Sequence, residues 1–432
     1  MTGKPSRGRG NKDEGQLSVW GPNSEVDSPM PAEVVRTPAR RPPRQLARIN
    51  PAMAEWARRT ANVSVAKAAK RAGVKPEVLL AWETGAAQPT IRQLREIAKL
   101  YHRPLAAFYL PAPPRTFTVA KDYRRLQGQP PIDFSTALLL ALRVADYRRD
   151  VALELEPDTP PATFVGSGRG IGDPDVLAAR ARAQLGVSLD DQKGWHDHYA
   201  ALNGWKNAVE RLGVLVFHFS GVESEEVRGF SISEPVLPVI ALNGGESPNA
   251  RIFTLIHELG HLLLGEGGSC DLAEFSRPSD PALDAEVLAN AFAGALLVPS
   301  DALLADPLVE GAGTASTWSD ADLARLARTF RVSAEVILRR LLTLDRTNLG
   351  FYRRWRAALP TESTAKATGR PGVAVMTVRD VGKPFARLVI DAYHANTLTG
   401  GDLSELLGVR LKHLPAIEVR LAGPDMLTGG EQ

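Results

Sequence analysis

Between residues 51 and 110 apolar positions recur at intervals of three and four, in four runs. Such spacing lines one face of a helix, and glycine or proline between runs marks where helices stop and start. Gly73 and Gly85 serve as stops, and Pro76, Pro89 and Pro104 stand near starts or breaks. The pattern therefore predicts four short helices, closed off by "LPAPPR" (110–115). Residues 135–155 predict one long aliphatic helix, read as a connector, and "EPDTPPATFVGSGRGIGDP" (156–174) reads as a loop. The loop's glycines are no nucleotide fingerprint, because no strand precedes them. A further helix is expected from about 195 to 211, from Trp195 through Trp205 to Arg211.

The period then changes. "GVLVFHF" (213–219), "GFSIS" (229–233) and "VLPVIALN" (236–243) are short, β-branched and bounded by turn residues, as strands are. Helices resume at Pro248 and dominate to residue 357. "KATGRPGVAV" (366–375) reads as a hinge before a last helical unit from about 380 to 413. That unit could offer a partner surface of helix-turn-helix type, but a helical extension packed on the body is the preferred reading. His394 and His413 look isolated and receive no chemistry. The fold class is mainly α with a small β-sheet (α+β).

Length and charge divide the chain further. The 432 residues are 44% hydrophobic, enough for several cores. Residues 1–50 hold nine Lys/Arg against five Asp/Glu and residues 51–110 hold ten against four. These stretches carry +4 and +6, so the rest carries −7 of the total +3. A basic front on an acidic body suits a nucleic-acid contact or a basic tail. Residues 1–48 read as a disordered basic tail rich in Pro and Gly, solvated rather than bound. The expected organisation continues with a four-helix unit at 49–115, a helical connector at 116–186 and a domain at 187–310 that holds the three strands. A helical bundle at 311–358 completes that region, and a helical extension occupies 366–432. The first twenty residues are polar and charged, no apolar run reaches membrane-spanning length, and there is one cysteine. A cytoplasmic protein without membrane contact is expected.

The chemistry concentrates in "FTLIHELGHLLL" (253–264). In a helix His257 and His261 lie on one face, one turn apart, and direct their imidazoles at one point. Zinc accepts neutral imidazole nitrogens and in catalytic sites takes three protein ligands. Glu258 sits beside the first histidine, where its carboxylate can take a proton from water. A third ligand must come from elsewhere. In "DAEVLANAFAGALLVPSD" (284–301) Glu286 and Asn290 share a face with Ala289 and Ala293, small residues that let two helices approach. Glu286 can then reach the metal, and Asn290 can hydrogen-bond a ligand. Asp284, Asp271 and Glu266 are alternatives. For an oxyanion donor Arg228, His218 and Tyr199 stay open, although His218 shares a strand face with Val214 and Val216 and suits a core histidine better.

These segments resemble the ImmA/IrrE metallopeptidases. The likeness rests on "FTLIHELGHLLL" followed by "ExxANxFAxxLLxP" from Glu286 to Pro299. "ALNGWKNAVERLGVLVF", "VRGFSIS", "LPVIALN" and "LARTFRVSAEVILRRL" extend it over roughly 187–345. The resemblance implies zinc held by His257, His261 and Glu286, with Glu258 as general base. It also implies a protein substrate, a helix-turn-helix repressor whose cleavage releases stress-response or mobile-element genes. Two other readings are a DNA- or protein-binding regulator with a catalytically silent peptidase fold, and a toxin–antitoxin-like component.

"AKAAKRAGVKPEVLLAWETGAAQPTIRQLREIAKLY" resembles the XRE-type helix-turn-helix over about 60–110, with Ala69, Gly73, Val74, Leu79 and Trp82 at the positions that join its two helices. The expected recognition helix offers Lys75, Pro76, Glu77, Leu80 and Ala81, a poor set for reading base edges. Lys67, Lys70, Arg71 and Arg92 can contact phosphates without reading sequence, and Lys75 is the one plausible reader. Weak, non-specific DNA binding and protein docking are both compatible with this set. Cys270, in "GEGGSCD", raises a last expectation: folded back, its thiolate could close the metal site as a latch, although an uninvolved loop cysteine is the simpler reading.

Overall fold

The computed structural model describes residues 46–113, 134–265, 281–312, 317–359 and 371–423. The expected basic tail lies outside them, apart from its last residues, and so does Cys270.

Four helices form the front: α1 (Pro51–Thr60), α2 (Val65–Ala72), α3 (Pro76–Glu83) and α4 (Ile91–Tyr101), followed by a 3-10 turn (Leu105–Tyr109). Their boundaries follow the expected punctuation. Asn50, Ser64 and Thr90 cap α1, α2 and α4 through their side chains, and Gly73 ends α2 at φ 68°. Leu79, Trp82, Leu94, Ile97 and Ala69 share one small core, and Arg58 ties α1 to α3 through Glu83 at 2.7 Å.

The body begins with α5 (Thr136–Leu155), α6 (Pro174–Leu185), α7 (Leu189–Gly194) and α8 (His198–Arg211). The last of these starts three residues later than the sequence suggested, because Asp197 caps it and accepts from the Ala200 N–H. Trp195 instead packs edge-on against Trp205, ring centres 5.4 Å apart.

Three strands follow: β1 (Leu215–Phe219), β2 (Gly229–Ile232) and β3 (Val239–Asn243). Their order is β1-β3-β2, with β1 parallel and β2 antiparallel to β3. Period-two alternation sends Val216, Ile240 and Leu242 to one face and Leu215, Phe217, Val239 and Ala241 to the other. Each of the buried Val, Leu, Ile and Phe side chains among these contributes roughly 1.5–3 kcal/mol.

The first face carries the larger core. It packs α8, α9 (Pro248–Leu264), α10 (Pro281–Leu297), α11 (Ser300–Leu304), α12 (Pro307–Ala312), α13 (Asp320–Phe330) and α14 (Ala334–Thr343). Tyr352 of α15 (Leu349–Ala358) belongs to the same core, and α6 packs against α10.

The second face is covered by α5 together with α16 (Val373–Val381), α17 (Lys383–His394), α18 (Gly400–Leu407) and α19 (Leu414–Ala422). Four expectations change here. The long helix α5 is a core element rather than a connector, burying Leu138, Leu142, Ala145 and Ala152. The described half of the expected hinge is the start of α16. The last helical unit starts earlier and ends later than 380–413, and His394 is not isolated, since its Nε2 lies 2.7 Å from Glu418. The C-terminal helices are packed on the body, as preferred from the sequence. Among the described residues no helix is long and apolar enough to cross a membrane.

Candidate metal centre

The HExxH segment occupies the middle of α9, with His257 and Glu258 fully buried and His261 3% exposed. Burying three ionisable side chains on one helix is costly unless they meet partners. The partner comes from α10, which packs closely because Gly260 faces it. A Cβ at Gly260 would stand 2.9 Å from the Phe292 ring and 3.4 Å from Ala289. Of the small residues expected to permit this approach, Ala289 lies at the contact; Gly260, its counterpart on α9, was not singled out in the sequence.

Glu286 arrives at both imidazoles. Its Oε2 lies 3.4 Å from His257 Nε2, its Oε1 lies 3.1 Å from His261 Nε2, and the two Nε2 atoms are 3.0 Å apart. One donor atom from each of the three falls within 4.8 Å of the others, the spacing of a metal-holding group. Ligands around a four-coordinate divalent ion with bonds near 2.0–2.1 Å stand about 3.3 Å apart, so this donor set fits such an ion.

The electrostatics follow from burial. Burial alone would push the Glu286 carboxyl up, but hydrogen bonds and charge from His257 and His261 outweigh it and hold the group down at about 2. Burial pushes His257 down against the pull of Glu286 and Asn290, favouring the neutral imidazole a metal requires. Asn290, one turn beyond Glu286, is among the groups that act on the first histidine. Burial raises Glu258 to about 7, only partly opposed by the charge of His261 and by Ser231. Neither Glu258 oxygen is held in a well-formed hydrogen bond among the described residues, so both are open to a proton.

Strand β2 presses directly on this helix. A Cβ at Gly229 would meet Thr254 at 2.4 Å and the Ala241 carbonyl at 3.0 Å, with Glu258 Cγ 3.5 Å away. Only glycine lets the strand come this near, and it brings Ser231 to Glu258. Ser231 was not singled out in the sequence. The one signal was a small polar residue alternating with Phe230 and Ile232 in a strand next to the motif.

The oxyanion candidates separate. Arg228 directly precedes Gly229 and pairs with Glu246 at 3.3 Å. Tyr199 is half exposed on α8, and its charge acts on Arg251. His218 sits on β1, at the opposite edge of the sheet from β2, with Nδ1 2.8 Å from the Arg379 carbonyl. It is the core histidine the strand pattern favoured. Of the alternatives to Glu286, Glu266 and Asp271 lie outside the described residues, and so does the Asp284 side chain.

In the front unit Lys67, Lys70, Lys75 and Arg92 are exposed, and Lys75 stands at the start of α3 without capping it. Arg71 is engaged by Glu96 at 2.9 Å. The exposed side of α3 includes Val78 and Leu80.

No curated protein matches the chain. Residues 209–342 match the family described as the IrrE N-terminal-like domain, a metallopeptidase family, and residues 55–108 match the helix-turn-helix family. The first match opens in α8 and closes in α14, enclosing the sheet, His257, His261 and Glu286. The chain thus joins a helix-turn-helix of XRE type to a peptidase domain of the ImmA/IrrE type.

Proposed function

We propose that the protein is a zinc-dependent endopeptidase that cuts a helix-turn-helix repressor and so releases stress-response or mobile-element genes. The observation that carries the reading is the convergence of His257, His261 and Glu286 beside a buried, proton-ready Glu258. Zinc bound by the three would supply Lewis acidity to the scissile carbonyl and the attacking water. The protein's own residues do the rest. Glu258 takes the proton from the attacking water and delivers it to the leaving amine, a role suited to a group near 7. Asn290 holds the His257 ring in orientation, which keeps its Nε2 aimed at the metal position. Ser231, brought near by the close approach of β2 at Gly229, lies against the Glu258 carboxylate. Arg228, at the start of the same strand, is the candidate best placed to meet charge on the substrate carbonyl.

The repressor as substrate rests on the family match and on the helix-turn-helix carried by the same chain. The test is direct. The purified protein, loaded with zinc, is incubated with small helix-turn-helix repressors encoded beside its gene. Wild type is expected to cut one of them at a single place while Glu258→Gln leaves it whole. Equal cleavage by both proteins would remove Glu258 from the mechanism. A silent peptidase fold would instead show bound metal and no cleavage by either.

A further inference from the structure

A cavity of 1280 Å³, none of whose lining residues belongs to α9 or α10, lies where the front helices, α5, the β1 edge and the C-terminal helices meet. Its walls are largely apolar, with Leu140 and Val144 from α5, Phe217 from β1 and Met376 from α16. Its size exceeds the usual range of small-molecule sites, roughly 300–1,000 Å³, so a ligand with an extended apolar body fits.

One polar group in this wall is unaccounted for. Arg148 of α5 lines the cavity with its guanidinium over two aromatic rings, 5.4 Å from the Phe217 centroid and 5.9 Å from that of Phe385. It makes no hydrogen bond or ion pair with any described residue. Asp380 is the acidic group whose charge reaches it, but that carboxylate is bound by its neighbour Arg379 at 2.6 Å. Burial lowers Arg148 to about 10, which leaves it charged at neutral pH. A half-buried guanidinium with five donors in a fixed fork, none of them used by a described residue, is matched by one ligand group above others, a carboxylate.

The surrounding charge agrees. Lys67, Arg71 and Lys99 line the cavity from the front unit, the last two sharing Glu96 as an ion-pair partner. Glu223 and Glu226 are the opposing acids besides Asp380, and Glu226 is already occupied by the Ser135 N–H at 2.7 Å. Nucleic acid does not fit this description. A phosphate backbone needs an open basic track, whereas here the apolar walls would strip its water without return.

We propose that this cavity binds a small apolar carboxylate, its acid group on Arg148 and its hydrocarbon body along α5 and Met376. A ligand there touches the helix-turn-helix unit and the peptidase body at once, and so is placed to couple them. The inference does not depend on the peptidase reading.

The test uses the full-length protein and calorimetric titration with hexanoate, octanoate, decanoate and dodecanoate, each against the 1-alkanol of equal length. At least one acid is expected to bind at one site per chain, at least about tenfold tighter than its alcohol. Arg148→Gln should erase the preference for acid over alcohol. Ala141→Phe, which fills the cavity from α5 and leaves Arg148 in place, should weaken acid and alcohol together. Circular dichroism and thermal melting establish that each variant is folded, and the wild-type comparison stands without either. Absence of binding by all four acids, or equal binding of acids and alcohols by the wild type, overturns the proposal. So does a folded Arg148→Gln that keeps the preference; Arg148 would then be only a cation packed on two rings. Cleavage is not read in this experiment, so its failure leaves the proposed peptidase untouched.

Discussion

Two helices carry this protein's recognisable motifs, and they treat polarity in opposite ways. In α9 the polar side chains His257, Glu258 and His261 are buried at 0%, 0% and 3% exposure, and a second helix brings Glu286 to meet two of them. In α3, the helix of the front unit expected to meet DNA, the exposed positions include Val78 at 39% and Leu80 at 44%, while Glu77 would repel phosphate. Buried ionisable groups are costly unless they are partnered, so their convergence points to chemistry. Exposed aliphatics on a helix expected to read bases point away from sequence readout. A motif is informative to the degree that its polar atoms have somewhere specific to go.

The largest effect that sharpens this contrast is on catalysis. Glu258→Gln is expected to lower cleavage by at least about 10²–10⁴-fold while metal content stays unchanged, measured by product formation beside metal analysis. Loss of metal in that variant would mean that Glu258 is a ligand, and α9 would then be misread. A smaller effect falls on packing. Gly260→Val places branches where Phe292 and Ala289 already stand and is expected to cost about 1–3 kcal/mol, read as a lower denaturation midpoint. An unchanged midpoint would show that α9 and α10 do not rely on their close approach.

The front unit should respond more weakly. DNA binding by residues 49–115 is expected to be weak, strongly salt-dependent and nearly indifferent to sequence, and Lys67→Ala or Lys70→Ala should reduce it alike on every duplex. A tight footprint on one operator at physiological salt would break the contrast at once. Smallest of all, Leu80→Ala on the exposed side of α3 should shift stability by no more than about 0.5 kcal/mol. A larger loss, seen in chemical denaturation, would show that Leu80 is packed rather than presented.

What could be read from the sequence was local. The spacing of His257 and His261, the alternation of Val216 with Phe217 and the helix stop at Gly73 each depend on residues a few positions apart. Glu286 could be placed on the right helix face, but its arrival at two imidazoles depends on how α9 and α10 cross. Helix α5 was visible as a helix, yet aliphatic residues along it do not say what they pack on, and so its place on the sheet was missed. The order β1-β3-β2 is a long-range fact of the same kind. Ser231 and Arg148 are ordinary in sequence and become informative only when burial shows what surrounds them.

The central claim is that three residues from two helices hold one zinc, and metal content by mass spectrometry tests it most directly. Wild type, Glu258→Gln, His257→Ala and Glu286→Ala are each purified, exposed to equimolar zinc and desalted against a weak chelator. The account predicts one zinc per chain in wild type and Glu258→Gln, and near none in the two ligand variants. Unchanged zinc in His257→Ala would contradict it.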